Sequence, residues 1–255
     1  MNLKKKLSLW QLKLYHKLGN EDKIKRASIN GHMFHFKKTE EMVHAYREIF
    51  ITDIYRFRSD NPRPLIIDCG AHIGMSLVFF KQLFPNSRIL AFEPDPESFS
   101  LLQENTRAFS DITLEPKAVW IHNKGVSFEQ RGDMSSRIVD GATENIPVKT
   151  ISSARLRDYL TEPVDMLKMD IEGVEIDVLL DCKDRLHLVK NMFVEFHGRA
   201  ADPGKLQTLL QLFVACNLTY YIKMASDWAP TPFVNMEKNN EWEVQLNIFC
   251  KNSNA

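Results

Sequence analysis

The sequence predicts an α/β fold in which helices cover both faces of a mostly parallel sheet. From Leu65 onward, short apolar runs of strand length alternate with helical segments, which is typical of a parallel sheet. Near the C-terminus, two β-rich runs at Leu218–Met224 and Val244–Cys250 are separated only by a turn-like stretch, so they predict an antiparallel hairpin. Together these runs predict a seven-stranded sheet.

Five strand-helix units make up the central part of this prediction. The strands are expected at 65–69, 88–93, 112–119, 164–170 and 191–197. The helices are expected at 74–84, 96–109, 151–160, 173–188 and 203–216. The stretch 121–147 has few large apolar residues and is expected to form a loop or small hairpin near the mouth of the site.

Residues 1–60 are interpreted as a helical and hairpin extension, a cap or lid, on a domain that spans residues 61–255. A hairpin is predicted around Asn30-Gly31, followed by a helix from Thr39 to about Phe57. Residues 1–18 are predicted to form a basic amphipathic helix that packs on the domain or rests weakly on an anionic membrane surface. The apolar stripe of that helix is Leu3, Leu7, Trp10 and Leu14.

Composition limits the partners and the compartment. The chain has 255 residues with 33 Lys+Arg against 33 Asp+Glu, so a nucleic acid is not expected as a partner, and a small molecule or glycan is. No apolar run approaches the roughly 20 residues that span a bilayer, and the N-terminus has no continuous apolar h-region or small-residue cleavage site, so a soluble, unprocessed protein is expected. The four scattered cysteines, with no C-x-x-C pair, indicate a reduced, cytoplasmic protein.

The stretch from Pro64 to Ser76 predicts a nucleotide-type cofactor site, because an apolar strand runs into a glycine loop that opens a helix. Gly70 and Gly74 let the backbone approach a ligand, and the helix start offers unpaired N–H groups. The pattern Asp68-x-Gly70-x-x-x-Gly74 lacks the triple-glycine spacing of a dinucleotide fingerprint. Its carboxylate can face a sulfonium, so the pattern favours S-adenosylmethionine (SAM) over NAD.

Glu93 ends the second predicted strand, 93 − 70 = 23 residues after the first loop glycine. An acidic residue about 20 positions on binds the ribose hydroxyls in dinucleotide folds, and the same logic applies here. The alternative, that Glu93 caps the helix that follows Pro94, stays open.

Four ionisable residues follow the ends of two neighbouring strands. Lys168 and Asp170 alternate onto one face of the fourth strand, and Glu195 and His197 onto one face of the fifth. A buried charge costs several kcal/mol unless it is paired, so Lys168 is expected to be held by Asp170 or by a ligand. Because ligands of open α/β sheets bind at the carboxyl ends of strands, these groups predict a catalytic crevice.

His197 is the preferred general base, since its reference pKa of about 6.5 suits proton uptake near neutrality. Glu195 is expected to orient its ring, Asp170 is the second candidate for the base, and Lys168 keeps Asp170 ionised or donates to the acceptor oxygen. These residues and Glu172 are also possible ligands of a divalent metal. Gly173 suggests, however, that the strand ends before Glu172 reaches the face of Asp170, so no metal is expected.

The chain resembles the FkbM family of SAM-dependent methyltransferases, which have the class I, Rossmann-like fold. The resemblance runs from about Leu65 to His197, and its most specific piece is Lys168-x-Asp170-x-Glu172-Gly173. His72 departs from the family, which commonly has Asn there. The matching segments are 67–74, 91–96, 101–105, 117–119, 146–150, 165–173 and 194–195.

The resemblance implies methylation of a hydroxyl oxygen, often on a sugar in a glycan or natural-product pathway. It also implies which residues contact SAM: Asp68, Gly70, Ala71, His72, Gly74, Met75, Ser76, Glu93, Pro94, Ala118, Val119 and Asp170. Two other interpretations remain, a non-catalytic binding module and an NAD-dependent oxidoreductase. The second lacks support from a Tyr-x-x-x-Lys pair, which the chain does not contain.

Overall fold

The computed structural model describes residues 8, 10–12, 15, 23–129, 137–138, 148–199, 202–225, 231–235 and 244–252. The strands are β1 (Lys25–Ile29), β2 (His32–Phe36), β3 (Leu65–Cys69), β4 (Arg88–Phe92), β5 (Ile112–Glu115), β6 (Ala118–Trp120), β7 (Val126–Glu129), β8 (Arg137–Ile138), β9 (Val148–Ile151), β10 (Ser153–Arg155), β11 (Met166–Met169), β12 (Asn191–Gly198), β13 (Leu218–Met224) and β14 (Val244–Asn252). The α-helices are α1 (Thr39–Tyr46), α2 (Met75–Leu83), α3 (Pro96–Thr106), α4 (Glu175–Asp181), α5 (Pro203–Ala215) and α6 (Pro232–Asn235).

A seven-stranded sheet in the order β13-β14-β12-β11-β3-β4-β5 forms the centre of the molecule. Its neighbouring strands are parallel except where β14 pairs antiparallel with both β12 and β13. This arrangement confirms the predicted fold, including the C-terminal hairpin. The carboxyl ends of β3, β4, β11 and β12 lie side by side, which brings the candidate site residues to one edge.

Two predicted elements are wrong. The helix expected at 151–160 is instead strand β10 followed by a 3₁₀ turn at Leu156–Tyr159. The Ser153 hydroxyl donates to the carbonyl of His122 and accepts from the amide of Gly125, which ties this segment to the preceding loop. The strand expected at 112–119 divides at Pro116, which lacks an N–H, so β6 leaves the main sheet and pairs with β10.

The other elements differ mainly at their ends. The helix expected at 173–188 is the short α4 followed by a 3₁₀ segment at Lys183–Leu188. In the stretch 121–147, β7 pairs with β8 and β9 as a small antiparallel sheet, which agrees with a hairpin; positions 130–136 and 139–147 lie outside the described residues.

The predicted N-terminal hairpin is confirmed, with Asn30 and Gly31 in the left-handed conformation at its turn. The helix predicted to reach about Phe57 ends earlier, because α1 passes into a π-helical turn at Arg47–Ile51. Most of the basic helix predicted at 1–18 lies outside the described residues. Of the described part, Trp10 is 65% exposed and Leu12 is fully buried, so Trp10 does not lie on the packed face as predicted.

The extension packs directly on the sheet domain. The Phe50 ring lies 5.7 Å from that of Phe79 on α2, and the Tyr55 ring lies 4.9 Å from that of Phe193 on β12. Both pairs belong to one buried hydrophobic cluster that also contains the inner faces of β1 and β2. The role of the extension as a lid stays a prediction. None of the described helices combines the length and apolar composition that a membrane crossing requires.

Candidate active site

The glycine loop between β3 and α2 is fixed by its own backbone. The amides of Gly70 and Ala71 both donate to the carbonyl of Phe92, at 3.1 and 3.0 Å. Gly70 has φ +89°, and a Cβ there would lie 1.8 Å from the carbonyl oxygen of Asp170. A Cβ at Gly74 would lie 2.7 Å from the side chain of Leu102. Gly70 is therefore required by its contact with the backbone of Asp170, and Gly74 by its left-handed conformation at φ +87°, whereas the sequence pattern suggested the approach of a ligand.

Asp68 lies beneath this loop and is fully buried. One of its carboxylate oxygens accepts from the Ser76 hydroxyl at 2.5 Å, and the other lies 3.2 Å from the ammonium of Lys168. Burial raises the pKa of Asp68, while the neighbouring Lys168 lowers it. Asp68 thus faces a cation of the protein, in place of the ligand sulfonium that its position in the motif suggested.

Glu93 is buried at the end of β4 and connects two loops. Its carboxylate accepts from the amides of His72 at 2.7 Å and of Asp95 at 2.9 Å. Burial raises the pKa of Glu93 to about 7, although both amide hydrogen bonds lower it. Each oxygen has two lone pairs, so one on each stays available for a ribose hydroxyl. The alternative role as a helix cap is wrong, because Asp95 caps α3 by accepting from the amides of Glu97 and Ser98.

The remaining expected SAM contacts surround the loop. His72 has φ +47°, and its imidazole lies 3.7 Å from the carboxylate of Glu41 on α1. A cavity of about 250 Å³ lies between α1 and the loop, with Lys38 and Glu41 on one side and His72 and Asp95 on the other. The extension therefore forms one wall of this cavity. Among the other expected contacts, Pro94 is half-buried and four are buried: Ala71, Met75, Ala118 and Val119.

Lys168 lies between the glycine loop and the end of β11. Its ammonium donates to the carbonyl of Gly70 at 2.8 Å and lies 3.3 Å from the carboxylate of Asp170, as well as beside Asp68. Burial lowers the pKa of Lys168, but the two aspartates raise it well above its usual value. Lys168 is therefore a buried cation, paired with Asp170 as the sequence predicted.

His197 is enclosed by carboxylates. Its Nδ1 lies 3.1 Å from Glu175, and its Nε2 lies 3.5 Å from Glu172 and 3.8 Å from Glu195. Burial lowers the pKa of His197, but the hydrogen bond to Glu175 and the neighbouring negative charges raise it to about 10. Carboxylates that face both ring nitrogens favour the protonated imidazole, so these surroundings disfavour His197 as the general base, a role that stays a prediction. The ring is oriented by Glu175, whereas Glu195 was predicted to orient it.

The turn after β11 places two of these carboxylates, and sequence reasoning missed its shape. The strand ends at Met169, as Gly173 suggested, but Glu172 adopts φ +60° and Gly173 φ +100°. This left-handed turn directs Glu172 toward His197. Glu175 in the first turn of α4 also accepts from the amides of Ile171 and Gly173. An acidic residue shortly after a glycine at a helix start was the available signal.

Two further groups of the site come from distant parts of the chain. Asn247 on β14 lies opposite Glu195 in the strand register, and its amide nitrogen donates to Glu48 of the extension at 3.2 Å. Burial raises the pKa of Glu48, and the negative charge of Asp170 adds to this. Burial and Asp170 likewise raise the pKa of Glu195 well above its usual value. The site thus contains more carboxylates than cations.

The residues around the loop fit SAM. Gly74 begins α2 without a side-chain cap, so the first amides of that helix are not occupied by a capping side chain. Glu93 retains acceptor capacity for the two hydroxyls of a ribose. The next strand ends supply the polar crevice in which a second substrate would lie.

Comparison with known proteins agrees with this geometry. The Methyltransferase FkbM domain matches residues 68–221. Methyltransferase 1 of Beauveria bassiana is 28% identical over 198 residues, which are 67% of this chain and 80% of that protein. The 2-O-methyltransferase NoeI of Sinorhizobium fredii is 24% identical over 58% of this chain and 69% of its own length. The hexuronic acid methyltransferase AglP of Haloferax volcanii is 28% identical over 56% and 59%.

A solved methyltransferase structure also shares the fold of this chain. The crystal structure of methyltransferase FkbM from Methylobacillus flagellatus aligns with a TM-score of 0.50 and 15% identity, covering 97% of this chain and 55% of that one. The domain match extends over the glycine loop, Glu93 and the acidic crevice. The chain therefore belongs to the FkbM methyltransferase family and is a SAM-dependent methyltransferase.

Proposed function

We propose that the methyl group is transferred to a hydroxyl oxygen of a sugar, alone or within a glycan or natural product. The observation that carries the proposal is the group of carboxylates at the ends of β11 and β12, formed by Asp170, Glu172 and Glu195 beside the glycine loop. Carboxylates accept hydrogen bonds from several hydroxyls at once. The names of the relatives NoeI and AglP, a 2-O-methyltransferase and a hexuronic acid methyltransferase, support this acceptor class.

On the donor side, Glu93 would accept from both ribose hydroxyls while it holds the loop amides of His72 and Asp95. Bound SAM supplies an electrophilic methyl group on a sulfonium. Lys168 fixes the loop to the crevice through Gly70 and Asp170, so it sets the distance between the two substrates. Holding two reactants in line can lower an activation barrier by roughly 7–11 kcal/mol, a larger effect than that of a single general-base proton transfer.

Glu195 is the group that we assign to take the proton from the acceptor hydroxyl. It makes no hydrogen bond to the described part of the chain, and its side chain is 18% exposed, so a substrate can reach it. His197 holds Glu172 and Glu195 at one place, because its Nε2 faces both carboxylates. His197 is thus a positioning residue in this scheme.

The acceptor class can be tested with purified protein, SAM and a panel of sugars. We expect a product heavier by one methylene, with release of S-adenosylhomocysteine, for hexose or hexuronic acid acceptors. Amino sugars provide the matched comparison, since they offer a nitrogen and hydroxyls on similar rings. Transfer to nitrogen, or turnover only on acceptors without a sugar, would contradict the proposal.

The role of Glu195 is tested by Glu195→Gln, which keeps the shape and removes the basic group. We expect kcat to fall by about 10²–10⁴-fold, the usual contribution of a general base, while SAM affinity changes less than about twofold. Glu162→Gln is the control, because this exposed carboxylate pairs with Arg88 on the surface. Unchanged kcat in Glu195→Gln would remove Glu195 from the proton transfer.

The N-terminal extension and the cysteines bear on how the acceptor is enclosed and where the enzyme works. Glu48 and Tyr55 from residues 1–60 lie against the crevice, which supports a cap that helps to enclose the acceptor. Unpaired cysteines support a reducing, cytoplasmic location. Three of them are buried, namely Cys69, Cys182 and Cys250.

A further inference from the structure

We infer that Asp170, Glu172 and His197 form a binding site for a divalent cation at the crevice. One ligand atom from each of the three lies within 4.8 Å of the others, and His197 Nε2 lies 3.5 Å from Glu172. Ligands on opposite sides of a divalent cation are separated by about 4–5 Å, twice the usual metal–oxygen distance. The three donor atoms therefore already have the spacing of one coordination sphere.

The turn after β11 makes this set possible. In a continued strand, Glu172 would lie farther along the sheet edge and Gly173 would interrupt the register. Instead, the left-handed conformation of Glu172 returns its carboxylate to the ring of His197 on the neighbouring strand. This placement removes the reason for expecting no metal.

Glu175 supplies an independent indication that His197 is a ligand. The His197 Nδ1 is occupied by Glu175, whose carboxylate is itself held by the amides of Ile171 and Gly173. A histidine that binds a metal almost always donates its other ring N–H to such a carboxylate, which fixes the tautomer and the ring. Here the fixed ring directs Nε2 toward Glu172 and Asp170, and the ion would take the place of the Nε2 proton, which is released to solvent because a metal binds the neutral imidazole.

Further oxygen donors lie next to the three ligands. The side-chain carbonyl oxygen of Asn247 is buried and has no hydrogen-bond partner among the described residues. Because Asn247 is paired with Glu195 across two antiparallel strands, both side chains lie on the face of the sheet that carries His197. Glu195 itself lies 3.8 Å from His197 Nε2. A cation would give these oxygens a partner and offset the excess of negative charge.

The donor chemistry selects the kind of ion. Carboxylates suit Mg²⁺ and Mn²⁺, whereas imidazole suits transition metals, so two carboxylates and one imidazole favour an ion such as Mn²⁺. Resting on the proposed function, the ion would bind the acceptor hydroxyl and make its proton easier for Glu195 to remove. The cation site would thus orient the acceptor sugar at the oxygen to be methylated.

Metal binding is measured without any acceptor, on the full chain after treatment with EDTA and gel filtration. Mn²⁺ is titrated by calorimetry and by the electron paramagnetic resonance signal of the free ion. We expect one site with a dissociation constant below the millimolar range. Glu172→Gln should weaken it at least tenfold, and Glu175→Gln, which removes the partner of Nδ1, about 10–100-fold. The surface variant Glu162→Gln should bind like the unmodified protein.

Circular dichroism melts without Mn²⁺ show whether each variant is folded. Glu172→Gln is expected to disturb the fold least, because the Glu172 side chain is 17% exposed. Absence of a site tighter than millimolar, or equal binding by Glu172→Gln, would overturn the proposal. Methyl transfer to sugars that survives EDTA unchanged would also overturn the role of the cation while leaving the acceptor assignment intact. Mn²⁺ binding with no transfer to any sugar would leave the cation site intact and overturn the acceptor assignment.

Discussion

The donor half of the site (Gly70–Ser76 and Glu93) and its acceptor half (Asp170, Glu172, Glu195 and His197) are built in different ways. The donor half is held by backbone groups, since loop amides donate to Phe92 and to Glu93. The acceptor half consists of charged side chains from two separate segments that meet at the ends of β11 and β12. The first arrangement fits a single invariant ligand, and the second can change with the acceptor while the fold stays the same.

Lys168 joins the two halves, so its replacement is expected to have the largest effect. Lys168→Met keeps much of the side-chain volume but leaves Asp68 and Asp170 as uncompensated charges, of which Asp68 is fully buried. Breaking a buried ion pair in this way costs about 3–5 kcal/mol of unfolding free energy. Urea denaturation followed by circular dichroism measures this loss.

Lys205→Met is the matched control, because Lys205 forms an exposed pair with Asp202 at 4.0 Å. Exposed pairs contribute about 0–1 kcal/mol, so this variant should unfold close to the unmodified protein. Asp68→Asn in the Lys168→Met background should recover part of the stability, since it removes a buried carboxylate. Equal stability of the two lysine variants would show that Lys168 does not link the halves.

The sequence predicted the donor half more completely than the acceptor half, because the first depends on local spacing. The loop glycines and Glu93 are 23 residues apart or less, and adjacent parallel strands bring them together. In the acceptor half, strand alternation correctly placed Lys168 beside Asp170. It did not reveal the left-handed turn that directs Glu172, which depends on a backbone conformation that only the folded contacts select.

Contacts distant in sequence account for the rest. Glu48 and Asn247 are 199 positions apart and are hydrogen-bonded over the crevice, a relation that no local pattern carries. The same applies to the role of His197, whose residue type suggested a base at neutral pH. Its enclosure by Glu172, in the missed turn, and by Glu175, just after that turn, disfavours that interpretation. In the fold, β10 was mistaken for a helix because its pairing with β6 is made outside the main sheet.

A smaller effect is expected in the donor half from Glu93→Gln. The amide keeps one acceptor oxygen and loses the charge, so at least one charge-assisted hydrogen bond to ribose is lost. Such bonds contribute about 1.5–3 kcal/mol, which corresponds to roughly 10–100-fold weaker SAM binding by calorimetry. Glu104→Gln on α3 is the control, because its carboxylate is exposed and pairs with Arg107. Equal SAM affinity of the two variants would exclude Glu93 from the ribose site.

The smallest effect, and the one most specific to the donor half, is the pH dependence of SAM affinity. Burial raises the pKa of Glu93 to about 7 against the lowering effect of its amide hydrogen bonds; nearby Asp95 raises it and Lys168 lowers it. If the ionised carboxylate binds ribose, about one tenth of the protein is competent to bind SAM at pH 6 and about nine tenths at pH 8, so SAM affinity rises about tenfold.

Without SAM, the contribution of Glu93 to folding stability changes with pH in the opposite direction. A raised pKa means that the folded state favours the protonated carboxyl, so this group stabilises the fold below its ordinary pKa of 4.5 and loses that contribution as pH rises through about 7. Calorimetric SAM titrations and urea midpoints between pH 5 and pH 8 should therefore change in opposite directions. Both slopes should be reduced in Glu93→Gln, which has no group to titrate at this position. If the SAM affinity of Glu93→Gln still rises with pH as in the unmodified protein, the ionisation that couples SAM binding to pH belongs to a residue other than Glu93.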